Sequence, residues 1–463
     1  MTITPLGAVG GEVTGSSYSV RTARAHLLVD CGLFQGGRRV EELNEPPLPP
    51  GDSLQSLLLT HAHLDHTGRL PLLVRQGHSM PIFGTPATLE MTRLILRDSA
   101  RIQVADAERR NRKLQRAGEP PEEPLYTPQD VEKVLTLLRP VPYREPVDVA
   151  PGIHAVWVDS GHMLGSASIQ LIVEEDDVTR RVVFSGDIGP IGAPILRDFE
   201  SFQQADLVFL ESTYGDRDHR PYEETVSEFV TLVKAAVDQG GKVLVPVFAV
   251  GRAQLIINLL AWMFRTGKVK PFPIFLDSPM AIEATEIYAR HHNLFDEEML
   301  QFLREKPIRS DLKTLRNCVT AEESKAINDF PGSCLVLAGS GMCTAGRILH
   351  HLKAHLWKPE TRVLIVGFQS EGSLGRRLVN REPTVRIHGE TIAVKAQVHT
   401  LGGFSAHAGQ TDLLGWLEAM AASRPRVALT HGEDTPRRAL ADAIQRRFQL
   451  PVLLPDLREQ IEV

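Results

Sequence analysis

No stretch of this 463-residue sequence holds about eighteen consecutive uncharged apolar residues, so a membrane-spanning helix is not expected. The opening residues, Met1-Thr-Ile-Thr-Pro-Leu-Gly7, lack a basic segment followed by an apolar one, so no secretory leader is expected either. Cysteine is scarce: Cys31, Cys318, Cys334 and Cys343 are scattered, with no Cys-x-x-Cys pair. That pattern favours buried free thiols in a reducing cytoplasm over a disulfide framework. Basic charge is not in excess. The formal net charge of −6 argues against a surface coated in positive charge, although a local basic cleft or metal ions can still attract phosphate. Within these limits 42% apolar and 23% charged residues describe an ordinary globular protein, and the length favours two domains.

Against this plain background one stretch stands out, Leu57-Leu-Leu-Thr-His61-Ala-His63-Leu-Asp65-His66-Thr-Gly68. His61, His63, Asp65 and His66 fall within six residues, directly after an apolar run from Leu54 to Leu59 that reads as a buried strand. Thr67 to Gln76 then reads as a short helix or turn. Imidazole nitrogens suit zinc, and a carboxylate among them adds charge that tolerates a second divalent ion. A surface loop that happens to contain histidines is the plain alternative, and the strand-borne spacing argues against it. The stretch reads as a metal site.

Further along, residues 6–34 read as hairpin strands, and Thr85-Pro86 opens a helix expected to run toward Leu114. Between Arg97 and Arg116 seven Lys/Arg oppose three Asp/Glu, which fits a solvated face as well as an RNA-contacting one. Thr127-Pro128 opens another helix. His162 lies on a loop between two strands, Asp187 follows the apolar run Arg181 to Phe184, and Glu211 ends the apolar run from Ala205. An ionisable group at the end of such a strand is costly without a partner. From about Arg217 to Thr391, strand–loop–helix units repeat, which argues a parallel sheet with ligands beyond the carboxyl ends of its strands. A helix is expected from Ala345 to Leu356, and a Gly-rich loop from Phe368 to Arg376. Arg252, Arg347, Arg376 and Arg377 could add charge there. Strands then resume, with His407 in a loop and His431 ending the apolar run from Arg426.

His61-x-His63-x-Asp65-His66 resembles the signature of the metallo-β-lactamase superfamily, and His162, Asp187 and His431 stand where that family carries its later ligands. Glu211, Phe404-Ser-Ala-His407 and Leu429-Thr-His431-Gly resemble the further motifs of the β-CASP nucleases, in which an inserted domain clamps nucleic acid. Pro246-Val-Phe-Ala-Val-Gly-Arg252, Leu276-Asp-Ser-Pro-Met280 and Ser340-Gly-Met342 look like landmarks of that insert. The similarity runs over essentially the whole chain, toward bacterial and archaeal relatives of the endonuclease subunit of the pre-mRNA cleavage and polyadenylation factor.

The resemblance implies an α/β protein, a four-layer αββα sandwich interrupted by a helix-flanked parallel sheet. The expected division is residues 1–214, the insert at 215–392, and the sandwich again at 393–463. It also implies two zinc ions, His61, His63 and His162 on one, Asp65, His66 and His431 on the other, and Asp187 shared. A water acidified between them would attack phosphorus in line, with His407 serving the leaving 3′-oxygen and Glu211 orienting it. Arg252, Ser340, Gly341, Met342 and Arg376 would touch substrate. Single-stranded RNA is the expected partner, because DNA-directed members of the family carry valine where His431 stands. No membrane is expected, the cytoplasm is the expected location, and a homodimer is an open alternative to the monomer. Ser340-Gly341-Met342 differs from the loop by which RNase J holds a 5′-monophosphate, so endonuclease action is expected, with 5′–3′ exonuclease action left open. Some relatives carry flanking RNA-binding modules, and none is expected here. A small-ester or thioester hydrolase would need neither the insert nor Glu211 and His407. A non-catalytic RNA-binding subunit would be expected to have lost metal ligands.

Overall fold

The computed structural model describes residues 1–36, 38–49, 51–370 and 372–463, with Arg38 described by its backbone alone. Glu371, inside the loop expected between Phe368 and Arg376, lies outside the described residues, as do Gly37 and Pro50. Contacts divide the chain into two units: Met1–Gly192 with Asp198–Asp218 and His407–Val463, and Ala193–Arg197 with His219–Ala406.

The first unit is built on two seven-stranded sheets. One runs Ile461–Glu462, Thr2–Gly7, Ser17–Arg21, His26–Val29, Ser56–Leu58, Ile82–Gly84, Leu138–Pro140 across its width. The other runs Val452–Leu453, Arg426–Thr430, Leu207–Glu211, Val178–Phe184, Ala167–Glu175, Ile153–Asp159, Val147–Ala150. Short runs of Val, Ile and Leu between Gly and Pro punctuation form these strands, because β-branched and aromatic side chains fit a buried pleated surface. Side chains from both sheets share one core that includes Val20, Leu27, Trp157, Phe184 and Phe209. There the rings of Phe184 and Phe209 stack at 4.9 Å, and Tyr18 tilts against both. Truncating Phe184 to alanine at this fully packed point should cost about 3–5 kcal/mol.

Each sheet buries its other face under helices. Leu28, Leu57 and Leu59 of the first sheet pack with Leu70, Leu96 and Val131 of helices Leu70–Arg75, Pro86–Ala117 and Pro128–Leu137. Val183, Leu210 and Leu429 of the second pack with Trp416 and Leu440 of helices Gln410–Glu418 and Asp434–Phe448. The order of layers is therefore helix, sheet, sheet, helix. The expected helix from Thr85-Pro86 spans Pro86–Ala117, with the Thr85 hydroxyl accepting the Thr88 N–H and Gly118 closing it at φ +74°. Its last turns are exposed beyond Ala107, and three of its arginines pair with carboxylates: Arg97 with Glu132, Arg109 with Asp106 and Arg110 with Glu122.

The second unit holds a six-stranded sheet, all parallel, in the order Leu315–Asn317, Ile274–Asp277, Cys334–Ala338, Lys242–Pro246, Arg362–Ile365, Gln397–Thr400. Leu244, Val336, Val363 and Ile365 form its core with Ile348 and Leu352 of helix Ile348–His355. That helix starts three residues later than the Ala345 expected from sequence. The Ser340 hydroxyl accepts the N–H groups of Thr344 and Ala345, and Gly346 at φ +76° lies against the Gly339 carbonyl, so the loop holds these residues out of the helix. Among the described residues no helix is long and apolar enough to cross a membrane. All four cysteines are free and buried.

Candidate metal centre

In the first unit, strands Val178–Phe184, Leu207–Glu211 and Arg426–Thr430 run parallel side by side. Their carboxyl ends therefore share one rim, which carries Asp187, Glu211 and His431. Parallel strand Ser56–Leu58 of the facing sheet leads into His61 and His63 on a loop, then into one helical turn, Leu64–Thr67, that carries Asp65 and His66. Two glycines let the backbone close up here. A Cβ on Gly32 would sit 1.5 Å from the Asp65 carbonyl oxygen, and one on Gly68 would sit 2.6 Å from that of Leu64. His162 comes from the loop between antiparallel strands Ile153–Asp159 and Ala167–Glu175, where the Ser166 hydroxyl accepts the N–H groups of His162 and Met163.

These residues meet in two groups whose donor atoms lie within 4.8 Å of one another: His61, His63, His162 and Asp187, and Asp65, His66 and His431. Asp187 faces both. Its Oδ2 is 3.4 Å from His61 Nε2 and 3.5 Å from His162 Nε2; its Oδ1 is 3.3 Å from His66 Nε2 and 3.5 Å from His431 Nε2. Asp65 Oδ2 lies 3.4 Å from His431 Nε2. Among the described residues, buried His61 Nε2, His66 Nε2 and Asp187 Oδ1 have no hydrogen-bond partner. Such groups are costly to bury unless something outside the chain satisfies them. Imidazole nitrogens with carboxylate oxygens at this spacing could hold transition metals, so the donor set fits the ion that it implies.

Charge is distributed to suit. Burial, then the neighbouring His66, lowers His61; burial, then His61, pushes His63 down to about 3; burial, then His407, holds His162 well below its ordinary value. Burial opposes ionisation of Asp187, yet His431 and His66 hold it well below the carboxylate range. Neutral imidazoles and ionised carboxylates are the forms that coordinate metal. His66 and His431 are the exceptions: burial would lower both, but Asp187 and Asp30 raise His66 well above its ordinary value, and Asp187 and Asp65 raise His431.

His407 stands beside the groups. Both Glu211 oxygens lie 3.2 Å from its Nδ1, while its Nε2 is 4.0 Å from Asp187 Oδ2. Glu211, itself buried, also accepts the Ile188 N–H at 2.7 Å. Burial would lower His407, but the Glu211 carboxylate and then Asp187 raise it to about 9. His407, Asp187 and His431 also form a group at ligand spacing.

Three residues around the centre were not singled out from sequence. Asp30 Oδ2 is 2.8 Å from His66 Nδ1 and accepts the Thr60 hydroxyl at 2.7 Å, while Thr60 Oγ1 is 3.1 Å from His61 Nδ1. Thr213 Oγ1 is 3.1 Å from His431 Nδ1. A signal for Asp30 was present, because it ends the apolar run Ala25 to Val29 as Glu211 ends its own. The threonines had none.

The remaining candidates belong to the second unit. Arg252 opens helix Arg252–Arg265, and Arg376 lies in helix Leu374–Val379. Gly341 and Met342 meet the Phe368–Arg376 segment through the Gln369 side-chain N–H to the Gly341 carbonyl, 3.0 Å, and the Gly375 N–H to that of Met342, 3.1 Å. The Ser340 hydroxyl serves its own loop, as described. Arg347 and Arg377 are engaged within the fold, with Asp277 and Glu382.

Two facing sheets, helices outside, and a His/Asp constellation on the strand ends define a metal-dependent hydrolase of the αββα sandwich class. Family models agree: the metallo-beta-lactamase superfamily matches residues 10–246, the Beta-Casp domain 253–378, and the Zn-dependent metallo-hydrolase RNA specificity domain 391–455. The chain is 41% identical to Ribonuclease TTHA0252 of Thermus thermophilus, with 97% of each chain covered. It is 33% identical to transcription termination factor FttA of Cenarchaeum symbiosum, covering 100% of this chain and 71% of that one. A protein of unknown function from Enterococcus faecalis shares the fold at a TM-score of 0.53 and 12% identity, over 100% of this chain and 99% of that one. The chain belongs to the β-CASP family of the metallo-β-lactamase superfamily.

Proposed function

We propose that this chain is a two-zinc ribonuclease of the cytoplasm that cuts single-stranded RNA internally, leaving 3′-hydroxyl and 5′-phosphate ends. The observation that carries the reading is Asp187, whose two oxygens each face a separate group of imidazoles at 3.3–3.5 Å. His61, His63 and His162 would hold one ion and Asp65, His66 and His431 the other, with Asp187 facing both groups. Two zinc ions so held supply a nucleophilic water of lowered pKa and offset the charge that builds on the phosphoryl oxygens. Asp30 and Thr60 fix the ring orientation of His66 and His61 from behind. His407 works on the leaving side: Glu211 anchors its Nδ1, and Nε2 donates to the departing 3′-oxygen. Arg252, Gly341, Met342 and Arg376 contact the RNA from the inserted unit, Ser340 shaping that loop through its hydroxyl, which accepts the Thr344 and Ala345 N–H groups.

RNA as substrate is supported by the RNA specificity match over residues 391–455 and by a relative named as a ribonuclease. The test uses one RNA labelled at its 5′ end and again at its 3′ end, alongside zinc per chain. End-labelled fragments longer than one nucleotide from both labels, with about two zincs, are expected. Mononucleotides released from the 5′ end alone would overturn internal cleavage, and activity in protein free of transition metal would overturn the zinc centre.

A further inference from the structure

Three residues beyond Glu211 lies an aromatic ring that none of the metal-ligating groups includes. The half-buried Tyr214 ring has its centroid 6.4 Å from that of His407, at 50° between planes. The Arg217 guanidinium lies over Tyr214, 5.3 Å from the ring centroid, and the Arg217 side chain is 57% exposed. The loop that carries both is held firmly. The Gln410 side chain donates to the Gly215 carbonyl at 2.6 Å and its backbone N–H to that of Arg217 at 3.0 Å. Asp218 accepts the Thr411 N–H at 2.8 Å and its hydroxyl at 2.6 Å. Gly215 packs so closely that a Cβ would lie 2.6 Å from the Pro436 carbonyl oxygen. Residues 214–218 are thus tied to the same 407–411 segment that begins with His407.

We infer that Tyr214, with Arg217 over it, forms a nucleobase subsite for the nucleotide on the 5′ side of the cut, the one whose 3′-oxygen leaves. This rests on the ribonuclease reading and deepens it. A ring beside the group that serves the 3′-oxygen is placed for the base attached to that ribose. Every base offers a π-face, so stacking on tyrosine holds the base without demanding a sequence, and the guanidinium adds cation–π contact and a donor for phosphate. The subsite orients the leaving oxygen toward His407 by gripping the base that accompanies it. Tyr214 is therefore a substrate-positioning residue, distinct from the metal chemistry.

The test is single-turnover cleavage at one mapped bond, in RNA that is intact or abasic at the nucleotide 5′ to that bond, with zinc per chain measured in parallel. Wild type should lose roughly 10- to 100-fold on the abasic RNA. Tyr214→Leu, which keeps bulk without a ring, should lose about as much on intact RNA and nothing further on abasic RNA, with zinc retained. Tyr214→Phe should cleave within a few-fold of wild type on both. A Tyr214→Leu rate equal to wild type on intact RNA overturns the subsite, as do losses from variant and abasic site that multiply. A Tyr214→Phe loss as large as that of Tyr214→Leu assigns the hydroxyl instead of the ring and also overturns it. If wild type holds its metal and cuts no RNA, the ribonuclease reading fails first and takes the subsite with it.

Discussion

Asp187 in the first unit and Asp277 in the second are both buried carboxylates at the carboxyl ends of parallel strands, and both face histidine. Asp277 is saturated by its own chain. Oδ1 accepts Arg347 at 2.7 Å, and Oδ2 meets His351 Nε2 at 2.7 Å and the Ser324 hydroxyl at 2.6 Å. His351 Nδ1 continues to Asn328 Oδ1 at 2.9 Å, and His355 reaches that same oxygen at 3.2 Å. Asp187 has four imidazole nitrogens at 3.3–3.5 Å, yet its Oδ1 has no hydrogen-bond partner among the described residues. Burial opposes the charge of both, and the surrounding groups still hold both below the ordinary carboxylate range. What separates them is satisfaction. A carboxylate whose donors all come from the protein is part of the scaffold, and one left short awaits a partner from outside the chain.

The most severe way to break this comparison is at Asp187. Asp187→Ala should reduce both metal content and RNA cleavage to background and should also lower the unfolding midpoint of metal-free protein, where buried His66 and His431 lose the carboxylate that raises them. Zinc analysis and chelator-treated denaturation check it; retained metal would put Asp187 in the same class as Asp277. His61→Ala should lose metal and activity together.

Next in size is His407→Ala, expected to keep both metals and RNA affinity while slowing cleavage by roughly 10²–10⁴. Glu211→Gln should slow it less, because orientation weakens but the imidazole remains. Single-turnover rates with zinc per chain decide this, and loss of a zinc from the alanine variant would move His407 into the ligand set.

At Asp277 the effect should be on stability alone. Asp277→Ala removes the carboxylate from Arg347 and His351 and should cost about 3 kcal/mol, with Arg347 a quarter exposed and still bonded to the Cys318 and Val319 carbonyls. Urea unfolding measures it; a change in zinc content of the folded variant would blur the distinction from Asp187. Asp30→Asn lies between the two kinds, since Asp30 is satisfied by Thr60 and also holds His66. It should weaken metal affinity about 10- to 100-fold, read from a competitive chelator titration.

The smallest expected effect is a pH dependence in the saturated network. Burial, then the charges of Lys242 and Lys358, pushes His355 down to about 3. Because this folded value lies below that of the unfolded chain, about 6.5, its neutral form stabilises the fold fully above that pH. The contribution is lost as pH falls from there toward 3. His355→Gln should therefore show a shallower loss of urea midpoint between pH 7 and pH 5 than wild type, and equal slopes would exclude His355 as a contributor.

Local sequence determined the parts of this protein whose chemistry is contiguous. His61, His63, Asp65 and His66 lie within one loop and one helical turn, so their spacing alone brings their side chains together. Strand and helix existence was also legible, as in Thr85-Pro86 opening Pro86–Ala117, because capping and apolar periodicity are short-range properties. The strand Ile461–Glu462 was not, since two residues carry no period and only pairing with Thr2–Gly7 makes them a strand. The start of helix Ile348–His355 was set by Ser340, several residues away from the helix itself. Tertiary structure alone decided which polar residues end satisfied. Sequence presents Asp30, Asp187, Glu211 and Asp277 alike, as acids at the ends of apolar runs. Whether each meets Thr60, four imidazoles, His407 or Arg347 depends on which strands the fold sets side by side, and a partner up to 244 residues away, as His431 is from Asp187, is invisible to any local pattern.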